Sequence, residues 1–61
     1  MVLVNLESIR KSRNMTQKQL ADALLYHERT IIRWESGEPT TENNAKRVAA
    51  TLRVKVKELV A

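Results

Sequence analysis

The feature that most constrains this sequence is the spacing of its apolar residues: they recur three and four positions apart in several short blocks and show no convincing alternation in twos. That spacing builds amphipathic helices. No block is long enough to make a stable helix alone, so each helix must bury its apolar face against the others. The expected fold class is all-α, a compact bundle of five short helices around one core.

The first block is Val2, Leu3, Leu6 and Ile9, which share one side of a helical wheel with Arg10 and Arg13. Asn14 follows as a left-handed stop, a conformation that Asn tolerates better than most residues. Thr16 and Gln19 have the T-x-x-Q spacing of a capping box and open a helix over 17–24, whose inner face is Leu20, Ala21 and Leu24. "LYH" at 25–27 leads into a third helix over 28–36, which ends at Gly37, the only glycine, with Pro39 just beyond. Thr40 or Thr41 caps a fourth helix with the stripe Ala45, Val48, Ala49 and Leu52. A last helix near 55–60 turns Val56 and Leu59 inward, with Val54 packing just before it. Helices over 17–24 and 28–36 joined by three residues have the spacing of a helix-turn-helix.

Composition removes several function classes. A chain of 61 residues suits one domain with a modest core. There is no cysteine and only one histidine, so neither a disulfide nor a zinc site can be assembled, and no cofactor is expected. No apolar run approaches a membrane span, and the start "MVLVNLES" lacks the charged lead-in of a secretory signal, so a cytoplasmic protein is expected. Paired catalytic carboxylates, a nucleophile with its base and a phosphate-cradling glycine loop are all missing. Ser8, Ser12 and Ser36 have no histidine at a suggestive position. An enzyme acting on a small-molecule substrate is therefore not expected. Eleven basic against seven acidic residues give a formal charge of +4, a balance that suits a polyanionic partner, although many small basic proteins bind no nucleic acid.

The third helix has two faces. Thr30, Ile31 and Trp34 fall on one side, which makes Trp34 an inward anchor rather than a base-stacking platform. Glu28, Arg29, Ile32, Arg33 and Ser36 fall on the other. Two readings stand for that outer face. It is a solvated surface on which Ile32 is one more exposed apolar residue. Alternatively it enters a DNA major groove: Ile32 against a thymine methyl, Arg29 and Arg33 on guanine O6 and N7, Glu28 accepting from cytosine N4. Arg10 sits on the apolar side of the first helix. A buried guanidinium needs a carboxylate, and Glu35, at the edge of the third helix's inner face, is the expected partner.

The stretch "LESIRKSRNMTQKQLADALLYHERTIIRWESG" resembles the Cro and lambda-repressor-like (XRE-type) helix-turn-helix family. The resemblance rests on Leu6, Ile9 and Arg10, "TQ" at 16–17, "LA" at 20–21, Leu24, "TI" at 30–31, Arg33, Glu35 and Gly37. It continues through Ala49, Leu52, Val54 and Leu59 in the tail, and so covers nearly the whole chain. It implies a lambda-repressor-like domain with its helix-turn-helix at about 17–36. It also implies a DNA-binding set of Gln17, Lys18, His27, Glu28, Arg29, Ile32 and Arg33, with Gln17 on a phosphate and bracing the recognition helix. The loop and the start of the fourth helix add Thr41, Asn43 and Lys46, which a capped, solvated helix start explains equally well. The family's structural ion pair maps onto Arg10 and Glu35.

Four residues depart from the pattern. Leu25 stands where the family usually has Gly, so the turn either carries roughly 1 kcal/mol of left-handed strain or is rearranged. His27 replaces a Ser or Thr cap and is the poorer cap; it either donates to a phosphate or is an exposed turn residue. Glu28 beside a polyanion either reads a cytosine or repels wrong sequences. Arg53 stands where the family often has Gly. The function implied is a sequence-specific, double-stranded DNA-binding transcriptional regulator. It would be a repressor of phage or mobile-element type on a palindromic operator, acting as a homodimer formed in solution or only on DNA, with Val56 and Val60 as candidate contacts. The rival reading is an antitoxin-like module whose main partner is a protein.

Overall fold

The computed structural model describes residues 1–60 and is all-helical over them. The helices are α1 (Leu6–Ser12), α2 (Gln17–Leu24), α3 (Glu28–Glu35), α4 (Glu42–Leu52) and α5 (Val56–Val60). Their apolar faces meet in one cluster of Leu3, Leu6, Leu20, Ala21, Leu24, Ile31, Trp34, Ala45, Val48, Ala49, Leu52 and Leu59. Ile9, Met15, Tyr26, Val54, Val56 and Val60 pack around it, half-buried. Val2 is a correction to the wheel. It is 37 % exposed because α1 begins only at Leu6, so helical spacing does not govern residues 1–4. The leading segment is tied down differently: Thr40 N–H donates to the Met1 carbonyl at 2.7 Å, and Asn5 N–H donates to the Leu59 carbonyl at 2.9 Å.

Helix starts follow side-chain chemistry. At α2 the Thr16 hydroxyl accepts from Gln19 N–H at 3.0 Å, and the Gln19 amide oxygen accepts from Thr16 N–H at 2.8 Å, a complete capping box. Thr41, rather than Thr40, caps α4 by accepting from Asn44 N–H. His27 caps α3: its Nδ1 accepts from Arg29 N–H at 3.2 Å.

Helices α1 to α4 all stop in the same way. Each is followed by a residue at positive φ: Asn14 (58°), Leu25 (61°), Gly37 (110°) and Arg53 (60°). At each, the N–H of the next residue reaches back to a carbonyl five positions earlier, from Met15 to Arg10, Tyr26 to Ala21, Glu38 to Arg33 and Val54 to Ala49. The positive-φ residue bonds the carbonyl three positions back. These are Schellman stops, which satisfy carbonyls that the helix ends would otherwise leave bare. Two arginines finish the remaining helix ends from across the fold. Arg13 Nε donates to the Leu52 carbonyl at 2.8 Å and Arg47 Nη2 to the Leu24 carbonyl at 2.7 Å, placing positive charge on the negative ends of α4 and α2.

Candidate nucleic-acid interface

Helix α3 is held from behind. Ile31 is fully buried and Trp34 is 7 % exposed, with the Tyr26 ring standing edge-on to the indole at 5.6 Å and 86°. Glu35 anchors the end of the helix. Its carboxylate takes Arg10 Nε at 2.6 Å on one oxygen and Arg10 Nη2 at 3.2 Å on the other, a two-pronged pair whose side chains are 7 % and 6 % exposed. Gln17 Nε2 donates to the same carboxylate at 2.9 Å, and Arg10 Nη1 donates to the Met15 carbonyl. No buried side-chain nitrogen or oxygen among the described residues is left without a partner. Hydrogen bonding to Glu35 raises the Arg10 pKa above its ordinary value, against the opposing effect of burial and with help from the charges of Glu35 and Glu7. A raised arginine pKa gives a contribution that is fully present below the ordinary arginine value and is lost only as pH rises from there through the raised one, so the pair does not weaken across the physiological range through loss of the arginine proton.

The opposite face of α3 is open. Glu28, Arg29, Ile32, Arg33 and Ser36 are all exposed, Ile32 at 45 %. The first residues of two other helices flank this face. The Gln17 bond to Glu35 brings the start of α2 against the end of α3. A cleft of about 300 Å³ lined by Thr30, Arg33, Trp34, Glu38, Pro39, Thr40, Thr41 and Asn44 brings the start of α4 against its side. Residues Gln17, Lys18, His27, Thr41 and Asn43 therefore lie on the three helix starts that border or belong to α3, and Lys46 lies in the second turn of α4. Thr41 and His27 are both engaged as caps.

The basic residues divide into two groups. Arg10, Arg13 and Arg47 hold the fold, Lys11 meets Glu7 within α1, and Arg33 meets Glu38. The side chains of Lys18, Arg29, Lys46, Arg53, Lys55 and Lys57 make no hydrogen bond or ion pair among the described residues.

Spacing alone does not reveal two parts of this arrangement. The first is the Tyr26 cluster: Arg47 lies over the ring at 4.8 Å and donates to the phenolic oxygen at 2.7 Å, while the phenol donates to Asn44 Oδ1. This ties the α2–α3 turn to α4. The scarcity of aromatics is the available signal, since a lone Tyr next to a helix-turn-helix turn has few places to bury its ring. The second is the Arg33–Glu38 pair, Nε to Oε2 at 2.6 Å, with side chains 63 % and 49 % exposed. Its signal is the five-residue spacing across Gly37. Among the described residues no group of His, Cys, Asp and Glu side chains could hold a metal ion, and no helix is long and apolar enough to cross a membrane.

Comparison with known proteins agrees with this geometry. A family model described as helix-turn-helix, HTH_3, matches residues 6–59. Curated proteins and solved structures give no match to the chain.

Proposed function

The chain belongs to the HTH_3 helix-turn-helix family of DNA-binding regulators, and from that premise we propose that it is a single-domain, cytoplasmic, sequence-specific transcriptional regulator of double-stranded DNA. We propose further that it is a repressor of phage or mobile-element type acting as a homodimer on a palindromic operator. The observation that carries this reading is the two-sided character of α3: one face is locked by Ile31, Trp34 and Glu35, while the other presents Glu28, Arg29, Ile32 and Arg33 to solvent.

In the major groove Arg29, whose side chain has no partner among the described residues, reaches guanine O6 and N7, as does the outer edge of Arg33. Glu28 accepts from cytosine N4, and Ile32 meets a thymine methyl. The flanking residues suit phosphates because each of three structural contacts leaves a donor unused. Gln17 spends one Nε2 hydrogen on Glu35 and keeps the second. Thr41 uses a lone pair to cap α4 and keeps its O–H. The His27 cap requires an unprotonated Nδ1, which leaves Nε2–H to donate. Lys18 and Asn43 stand at helix N-termini that favour anions, and Lys46 adds a positive charge one turn further into α4. One module reads few base pairs, so useful specificity needs two copies with recognition helices about 34 Å apart. Val56 and Val60, each only partly covered by this chain's own core, are the candidate contacts for the second copy. Occupying the operator would block polymerase sterically.

The test is selection of bound sites from random duplex DNA, followed by a salt titration on the recovered site. A palindrome is expected. If a dimer neutralises about eight phosphates, the log–log salt slope is near −7. Failure to enrich any site, with a slope near zero, would remove the DNA reading and leave a protein partner as the target.

A further inference from the structure

The stop of α3 differs from those of α1, α2 and α4. In a Schellman stop, the residue after the positive-φ position lands beside the residue five positions earlier, and the two usually make an apolar contact. In α1, α2 and α4 the landing residue is Met15, Tyr26 or Val54, each half-buried against the core. In α3 it is Glu38, which is exposed and lands on Arg33. Gly37 at φ 110° turns the chain, the Glu38 N–H bonds the Arg33 carbonyl at 3.1 Å, and the Glu38 carboxylate then takes Arg33 Nε at 2.6 Å. The same two residues are thus joined through both main chain and side chain.

We propose that Glu38 is a positioning residue for base reading: it holds the Arg33 guanidinium by Nε so that only the two Nη groups face the duplex. This rests on the reading of α3 as the recognition helix. An arginine can offer a guanine either its Nη1–Nη2 end or its Nε–Nη2 side, and a free side chain samples both along with many rotamers. With Nε engaged, one edge is left, and it is the edge that fits guanine O6 and N7 in the plane of the base. Preorganising the fork reduces the freedom lost on binding the right base pair. The Glu38 charge also opposes the phosphate backbone on every sequence. Glu38 therefore lowers general affinity while raising the difference between right and wrong base pairs.

Two variants separate the tether from the charge. Glu38→Ala removes both. Glu38→Asp keeps the charge but shortens the arm by one methylene, so that it no longer reaches Nε. Neither touches the main-chain bond of the stop or any buried side chain. Binding is measured by fluorescence anisotropy on the duplex that the wild-type protein recovers from random sequence, and on duplexes with each base pair changed singly. Both variants are expected to lose about fivefold of their discrimination at one guanine-bearing pair, the size expected of an exposed ion pair. It is the same pair at which Arg33→Ala loses its preference. General affinity rises in Glu38→Ala and not in Glu38→Asp. If both variants keep full discrimination there while wild-type protein reads the site, Glu38 is a surface charge only and the proposal is overturned, with the DNA reading intact. If Glu38→Ala alone loses discrimination, charge rather than tether is responsible and the positioning role is overturned. A wild-type protein that recovers no site overturns both this proposal and the reading beneath it.

Discussion

Helix α3 carries two arginine–glutamate pairs, one on each face, and their contact distances are the same. Arg10 Nε lies 2.6 Å from Glu35, and Arg33 Nε lies 2.6 Å from Glu38. What separates them is water. The first pair is more than nine-tenths buried, two-pronged and shared with Gln17, whereas the second is single-pronged, with side chains 63 % and 49 % exposed. Distance alone says nothing of what a pair is worth. Burial makes the first pair costly to break, because removing one partner strands a charge away from solvent. Exposure makes the second cheap, because water takes over from whichever partner is lost. One helix therefore has a face that cannot change without loosening the fold and a face whose changes leave the fold intact.

The sharpest way to break that contrast is Arg10→Ala. Stranding Glu35 should cost about 3–5 kcal/mol. A chain of this length holds roughly 3–9 kcal/mol in all, so much of the protein should be unfolded at room temperature. Urea or thermal unfolding followed by the Trp34 signal checks this. A cost below about 1 kcal/mol would place the buried pair on a level with surface pairs and end the distinction. Replacing both partners together, Arg10→Met with Glu35→Leu, should recover much of the loss, since what is costly is the orphaned charge rather than the missing attraction.

Arg33→Ala should do the reverse. Stability is expected to stay within about 0.5 kcal/mol of wild type, the usual range for a surface change. Discrimination at one base pair should fall by about 1–3 kcal/mol, roughly five- to over a hundredfold, in binding assays on singly altered duplexes. If Arg33→Ala instead melts the protein while leaving base preference intact, the outer face is structural and the two pairs have exchanged roles.

The contrast was partly readable in the sequence. Helical spacing places Trp34 and Ile31 on one side of 28–36 and Arg29 and Arg33 on the other, and the cores of α2 and α4 follow from the same spacing. Arg10 on an apolar side implies a carboxylate opposite, and Glu35 stands there. Other features were not readable because they depend on where chain segments meet, not on their period. Arg13 at the end of α4 and Arg47 at the end of α2 are both bonds across the fold, over sequence separations of 39 and 23. Val2 departs from the helical period because α1 begins only at Leu6. The pairing of Glu38 with Arg33 is local, but it needs the geometry of the helix stop as well as the spacing.

The smallest expected effect is at the turn before α3, where the position of the helix's outer face is at stake. Leu25 is at φ 61° and 87 % exposed, so its side chain gains almost nothing from packing while its backbone carries left-handed strain. Leu25→Gly relieves roughly 1–2 kcal/mol of strain and adds back about 0.4–1 kcal/mol of unfolded-chain entropy. The strain relief wins, so stability should rise by about 0.5–1 kcal/mol, a rise of a few degrees in Tm for a domain this small. Base discrimination should not move. If the Arg10–Glu35–Gln17 cluster, with Trp34 and Ile31 behind it, fixes α3, then relaxing the turn leaves the outer face where it was. A Leu25→Gly variant that is more stable yet reads a different site would show that the turn, not the buried pair, sets the angle of α3. The inner pair would then hold the fold together without aiming it.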